Sequence, residues 1–310
     1  MAPNLNAPLR RAILAAADSR RIRCFVARHG LRLGARRFVA GETLDEAMRV
    51  AAELDRARMT SMLDFLGENV RTRAQAESAR RAYLDALSAI ERAPDLDCAI
   101  SLKLTQLGLD VSVEECLATV EPILDEAMRT RTQVMIDMES VGYVDPTLHV
   151  LREARARYPK MGVALQSYLR RTARDLDALP AGTRVRLVKG AYLEPPEVVF
   201  TSKREVDASY ARLFTTLLAR GHAIDVATHD PRLLEGVRRR VDDAGEGWSR
   251  VEFQMLYGVR RDLQHRLAGQ GYPVRVYVPY GTEWYPYLTR RLAERPANVW
   301  FFLSNLVRMR

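Results

Sequence analysis

The chain has 310 residues, a formal net charge of +9 and a hydrophobic fraction of 47%, material for one large core, and no apolar run approaches the ~20 residues that cross a bilayer. Cys24, Cys98 and Cys116 are an odd number set far apart in apolar or helical surroundings, which excludes a disulfide scaffold and points to a reduced, cytoplasmic protein, soluble or peripheral to a membrane. The basic excess is nearly all arginine, with lysine only at 103, 160, 189 and 203 and acids interspersed, a composition bias that argues against nucleic-acid binding.

Residues 1–37 are read as a short basic helical arm. Arg10, Arg11, Arg20, Arg21, Arg23, Arg28, Arg32, Arg36 and Arg37 stand there among Ile13, Leu14, Ile22, Phe25, Val26 and Leu31, so the arm either caps the rest of the chain or rests on an anionic bilayer. Thr43-Leu-Asp-Glu46 is a capping box, opening a helix that leads into the first strand.

From there short β-rich runs alternate with longer stretches of helical spacing. The expected strands are Met59–Phe65, Cys98–Leu104, Gln133–Met138, Met161–Gln166, Arg184–Val188, His222–Ala227, Val251–Gln254 and Val274–Val278. Between them, Val113–Thr130, Pro146–Tyr158, Glu205–Arg220, Pro231–Ala244 and Arg260–Ala268 repeat apolar residues every three or four positions, the signature of amphipathic helices. Strand, helix, strand repeated in this way implies parallel pairing by right-handed crossovers. Eight units close a (β/α)8 barrel, and a doubly wound open sheet is the alternative that periodicity leaves open. Residues 38–310 are read as that one domain, since such barrels occupy roughly 250 residues and no Pro/Gly/Ser-rich linker divides the chain.

Polar residues recur where the apolar runs stop: Lys103, Asp137, Gln166, Lys189, Thr228 with His229, Gln254 and Tyr277. In a barrel, the carboxyl ends of the strands converge on one mouth, where barrel enzymes do chemistry. Asp64, Glu68, Asp137 and Glu139 have oxygens suited to Mg²⁺, but Lys103 and Lys189 share that mouth and suit an anionic ligand better. The five histidines lack paired spacing, which argues against zinc. Lys189-Gly190 at a strand end offers an ammonium and close backbone N–H groups to a phosphate, and each such rim donor is equally readable as a loop cap. In the last helix, Glu283–Glu294, the adjacent Arg290 and Arg291 point about 100° apart. One of them can turn inward as a carboxylate clamp; an ordinary surface pair, with Arg290 bonded to Glu294, is the competing reading.

The ordered set Met135-Ile-Asp-Met-Glu139, Gln166-Ser-Tyr-Leu-Arg-Arg-Thr172, Arg186-Leu-Val-Lys-Gly-Ala-Tyr192, Ala227-Thr-His229, Glu252-Phe-Gln-Met-Leu256, Tyr277–Gly281 and Tyr287-Leu-Thr-Arg-Arg291 resembles proline dehydrogenase, in its single-function bacterial form. The resemblance runs from about Phe38 to Arg295. It implies a distorted (β/α)8 barrel whose last helix lies over the mouth, and oxidation of L-proline to Δ1-pyrroline-5-carboxylate by hydride transfer to FAD, with electrons passed to a membrane quinone. By the same resemblance Lys103, Arg290 and Arg291 hold the proline carboxylate while Tyr277, Tyr287 and Leu256 pack around the ring. Asp137 and Arg186 are the implied catalytic residues, with Arg186 beside the flavin N5. Met138, Gln166, Lys189, Gly190, Ala191, Thr228, His229 and Gln254 are the implied FAD contacts, joined by Thr201 and Lys203.

Departures from the family pattern shape the expectation. No N-terminal DNA-binding or C-terminal aldehyde dehydrogenase segment is apparent, so the single-function form is expected, and Leu193 stands where the bifunctional form has a tryptophan beside the adenine or ribose side of FAD. No residue stands out as the base for the amine proton. The apolar Trp300–Leu306 segment is compatible with a closing helix or a contact surface, and a homo-oligomer is compatible with the sequence. A barrel using FMN or a phosphorylated substrate, and a catalytically silent binding module, are the other classes considered.

Overall fold

A computed structural model describes residues 34–245 and 247–294, together with Ser19. Most of the basic arm, Cys24 and the apolar segment at residues 300–306 lie outside the described residues. The strands are β1 (Thr60–Phe65), β2 (Cys98–Leu102), β3 (Val134–Ile136), β4 (Met161–Gln166), β5 (Arg184–Val188), β6 (Ala223–Ala227), β7 (Val251–Leu256) and β8 (Val274–Tyr280). All are parallel and pair in sequence order, with β8 closing on β1. The open-sheet alternative is thereby removed.

Alternation along the strands positions the site. On β5 to β8, Val185, Leu187, Ile224, Val226, Phe253, Met255, Val274, Val276 and Val278 are buried in the main core under the helices, each contributing roughly 1.5–3 kcal/mol through lost apolar exposure. Their neighbours Arg186, Asp225, Gln254, Arg275 and Tyr277 therefore face the barrel interior. The β1 to β3 side fills the interior differently, with Met62, Ala99 and Met135 packed as a small apolar cluster against Tyr277.

Strand ends differ from expectation by a few residues. β3 stops at Ile136: the Asp137 N–H still donates to the Leu102 carbonyl at 2.8 Å, but the chain then turns to carry Asp137 and Glu139 into the mouth. The Thr43–Glu46 capping box forms as expected. Two helices outside the expected set, Arg73–Glu91 and Thr172–Asp177, complete the connections after β1 and β4.

The distortion lies at the last unit. Helix Leu44–Arg56 packs on β8 and β1, the wall position that an eighth helix would take. The final helix, Trp284–Glu294, instead delivers Tyr287, Arg290 and Arg291 to the cavity at the mouth. It is seated on its own apolar cluster, in which Trp284, Tyr287 and Leu288 meet Ala35, Phe38, Val39 and Leu66. Trp284 also donates its indole N–H to Glu42 at 3.0 Å. The seat needs Gly258, at φ +73°, because a Cβ there would lie 1.5 Å from the Arg37 carbonyl. No helix of the described residues is long and apolar enough to cross a membrane.

Candidate active site

One cavity of about 600 Å³ opens at the carboxyl ends of the strands. The expected carboxylate-binding and ring-packing residues Lys103, Leu256, Tyr277, Tyr287, Arg290 and Arg291 all line it, and so do Asp137 and Arg186. Of the expected cofactor contacts, Met138, Gln166, Lys189, Gly190, Ala191, Lys203, Thr228, His229 and Gln254 line the same cavity. Thr201 does not: it is exposed in the loop just before Ser202, the N-cap of helix Lys203–Ala219, and outside the lining.

Asp137 is the hub of the buried end. Its Oδ1 accepts from the Ser101 hydroxyl at 2.8 Å and from Arg186 Nη1 at 2.5 Å. Its Oδ2 accepts from the Tyr277 hydroxyl at 2.6 Å and from Lys103 Nζ at 3.1 Å. Burial alone would raise this carboxyl, but the positive charges of Lys103 and Arg186 and the two hydroxyl donors outweigh it and hold the group down to about 2. A carboxylate whose four lone-pair sites are all used is an electrostatic anchor and a poor proton acceptor.

Lys103 lies between two carboxylates. It is ion-paired with Asp64 and with Asp137 and is only 6% exposed. Burial works against its charge, yet Asp64, Tyr277 and Asp137 hold its pKa well above the ordinary lysine value, so it remains an ammonium. Asp64 is wholly buried; burial, only partly opposed by Lys103, raises its carboxyl, and its Oδ2 has no hydrogen-bond partner among the described residues. That pairing uses Asp64 as a counter-ion rather than as an open metal ligand. Tyr277 stays a phenol, its pKa raised well above normal by burial and by Asp137 and Asp64. The Lys103 and Arg186 cations stand 5.8 and 5.2 Å from its ring centre, within cation–π range.

Above this layer, Arg290 forks onto Glu68 with Nη1 at 3.0 Å and Nη2 at 2.5 Å, so its partner is on the loop after β1. Arg291 lies over the Tyr287 ring at 5.2 Å. The guanidinium of Arg186 is aimed by Gln254, whose Oε1 accepts from Nε at 2.7 Å. At the opposite rim, Lys189 bonds Asp207 at 2.6 Å and Asp230 at 3.0 Å, while Lys203 pairs with both acids and reaches Asp230 at 2.7 Å. Gly190, at φ +116°, lies against the Tyr168 ring, where a Cβ would come within 2.1 Å; only glycine brings the backbone so close there. His229 accepts the Leu256 N–H on Nε2 at 3.0 Å, tying the β6 loop to β7. Gln166 donates to the Glu139 carbonyl at 2.9 Å and its own carbonyl takes the Thr172 hydroxyl at 2.6 Å.

Several lining residues escaped the sequence reading of roles. Glu68, Tyr192 and Asp230 line the cavity; Glu68 entered the sequence reading only as a candidate Mg²⁺ oxygen, not as the partner of Arg290. Glu139 is buried and clamps the turn after Lys103, accepting from the Thr105 N–H at 3.1 Å and the Thr105 hydroxyl at 2.6 Å. Burial, only partly opposed by those two bonds, pushes its carboxyl up to about 7.

A family model described as proline dehydrogenase matches residues 47–303. The chain belongs to the proline dehydrogenase family. It is thereby an oxidoreductase of proline catabolism built on a TIM-type barrel. It is similar to proline dehydrogenase 1 of Bacillus subtilis subsp. natto, with 38% identity over 301 residues that cover 97% of this chain and 99% of that protein. It is 38% identical to the proline dehydrogenase of Deinococcus radiodurans, over 88% of this chain and 90% of that one. Among solved structures, proline utilization A (PutA) from Bdellovibrio bacteriovorus, inactivated by N-propargylglycine, superimposes with a TM-score of 0.78 at 27% identity, covering 84% of this chain and 32% of the other. The chain thus spans about a third of that larger protein.

Proposed function

We propose that the protein oxidises L-proline to Δ1-pyrroline-5-carboxylate with FAD as its cofactor and passes the electrons to a membrane quinone, as the first step of proline catabolism. The observation that carries this reading is one cavity with carboxylate-binding cations at one end (Lys103, Arg290 and Arg291), phosphate-binding groups at the other (Lys189, Gly190 and Lys203), and Arg186 between them. The residues fit FAD. The volume falls within the range of roughly 300–1,000 Å³ usual for small-ligand sites, Lys189 and Lys203 suit a diphosphate, and Gly190, where a side chain would meet the Tyr168 ring, puts bare backbone on the cavity lining. Asp207 and Asp230 share both ammonium groups, so a diphosphate binds there in competition with two carboxylates.

Proline enters as a small anion on one side and an amine on the other. Arg290 and Arg291 supply forks to its carboxylate, with Arg290 exchanging Glu68 for the substrate, while Lys103 adds a third cation held in place by Asp64. Tyr277, Tyr287 and Leu256 enclose the ring and exclude water, which fixes the C5–H bond in one orientation. Bound FAD supplies the two-electron acceptor for the hydride that leaves C5. Arg186, clamped by Asp137, Ser101 and Gln254, brings a fixed positive charge to the point where negative charge accumulates. Asp137 takes no proton, because its oxygens are occupied and its affinity for a proton is low. The amine reacts in its neutral form, and Asp137 is not the group that takes its proton.

This reading places the protein in the cytoplasm, with the basic stretch at residues 1–37 as its contact to a quinone-bearing membrane. The test is turnover of L-proline by FAD-loaded protein with a soluble quinone, following the cyclic imine by chemical trapping. Proline-dependent imine formation is expected; a protein that holds FAD and forms none contradicts the assignment.

A further inference from the structure

Glu252 stands two residues before Gln254 on β7, on the same inner face, and does not line the cavity. Its Oε1 accepts from Gln254 Nε2 at 2.8 Å and from Arg275 Nε at 2.9 Å. Arg275 is itself anchored, donating Nη1 to the Ser61 carbonyl at 2.9 Å and to Asp97 at 3.0 Å. A carboxylate only accepts, so the amide of Gln254 must turn its NH₂ toward Glu252 and its oxygen the other way. Arg186 donates Nε to that oxygen at 2.7 Å. With the amide reversed, NH₂ would face a guanidinium that has no acceptor. The other hydrogen bonds of Arg186 run from Nη1 to Asp137 at 2.5 Å and to Ser101 at 3.1 Å, and from Nη2 to the Met62 thioether sulfur. A thioether sulfur is only a weak acceptor, so beside the charged corner at Nη1 the bond at Nε is the strong one that sets the direction of the fork.

We propose that Glu252 is a positioning residue for the reaction: by fixing the amide orientation of Gln254 it fixes the direction in which Arg186 presents its charge to the cavity. The inference rests on the proposed proline-oxidising, FAD-binding reading. What it adds is that a line of bonds from Asp97 through Arg275, Glu252 and Gln254 to Arg186 joins the β2 entry to the mouth. The property Glu252 supplies is an acceptor at one point, which a glutamine oxygen also supplies and a methionine does not.

The experiment compares FAD-loaded wild type, Glu252→Met and Glu252→Gln by kcat, KM for L-proline and the midpoint potential of bound FAD. Glu252→Met should lower kcat by about tenfold with KM within about twofold, since Lys103, Arg290 and Arg291 are untouched. It should also shift the potential down by about 30 mV, a tenfold change in the two-electron equilibrium. Glu252→Gln should restore most of both losses. If Glu252→Met does not fold, Glu252→Ala, which leaves room for water at Arg275, takes its place. In a Gln254→Met background, Glu252→Met should add no further shift in potential, as expected of residues acting through one another. An unchanged potential in Glu252→Met, equal impairment in Glu252→Gln, or an additive double variant would each overturn the proposal. A wild type that binds no FAD, or whose FAD proline does not reduce, defeats the parent reading instead.

Discussion

The two ends of the cavity hold their charges in opposite ways. At the substrate end Lys103, Asp64 and Arg186 are 6%, 0% and 5% exposed; Lys103 and Arg186 each have a set of directed partners, and Asp64 is paired with Lys103. At the cofactor rim Lys189 and Lys203 are 29% and 67% exposed and share two aspartates between them. Exposed pairs exchange partners at little cost and are worth roughly 0–1 kcal/mol, whereas removing one member of a buried pair leaves a charge uncompensated and costs about 3–5 kcal/mol. The substrate end is therefore preorganised, and the rim is adaptable enough to release two ammonium groups to an incoming diphosphate.

The contrast is broken most severely at its hub. Asp137→Ala removes the acceptor for Ser101, Arg186, Tyr277 and Lys103 at once. It should lower kcat/KM for L-proline by at least about a hundredfold and destabilise the fold by about 3–5 kcal/mol, as read by steady-state turnover and denaturant titration. A variant with near-native turnover would show that the hub is dispensable. Arg291→Met should raise KM for proline by about tenfold or more, the loss of one charge-assisted carboxylate contact of roughly 1.5–3 kcal/mol. Retention of the wild-type KM would remove Arg291 from the substrate site.

The buried end also leaves a pH signature. Glu139 titrates near 7 in the folded protein against an ordinary value of 4.5. Its contribution to stability is thus fully present below about 4.5 and is lost as pH rises through about 7, where the buried carboxyl must ionise. Glu139→Gln, which imitates the protonated group, should flatten the fall in stability between pH 5 and 7.5 (about the window this shift covers); denaturation midpoints across that range decide it, and an unaltered slope would contradict the assignment. At the rim the effect should be smallest: Lys203→Met should weaken FAD binding by no more than about threefold, and by less at high salt, because the lysine is largely solvated. A loss of tenfold or more in a fluorescence titration would mean that the rim is as preorganised as the substrate end.

The legible parts of the molecule were those with strong local contrast. β2 to β6 are β-rich runs ended, or followed at once, by a polar residue, and β4 and β5 fall on their expected bounds. Helix Arg73–Glu91 was less visible because half of its buried residues are alanine (Ala76, Ala79 and Ala86), while Ala74 is exposed, and alanine does not tell inside from outside. Barrel closure and the displacement of the last helix depend on the pairing of β8 with β1 and on the apolar seat around Ala35 and Phe38, contacts between the two ends of the chain. Spacing in an arginine-rich sequence could not tell that Arg290 meets Glu68, 222 positions away. The resemblance supplied the inward turn of the last helix, and with it most of the lining residues; it gave Glu252 and Glu139 no role, because their work is done on other side chains.

The central claim is that one cavity holds FAD at its rim and proline at its buried end, and the visible absorption spectrum of the purified protein, before and after anaerobic addition of L-proline, tests it directly. Flavin bands that bleach on adding proline are the predicted result. A protein that cannot be loaded with FAD, or flavin bands that persist with proline present, would contradict it.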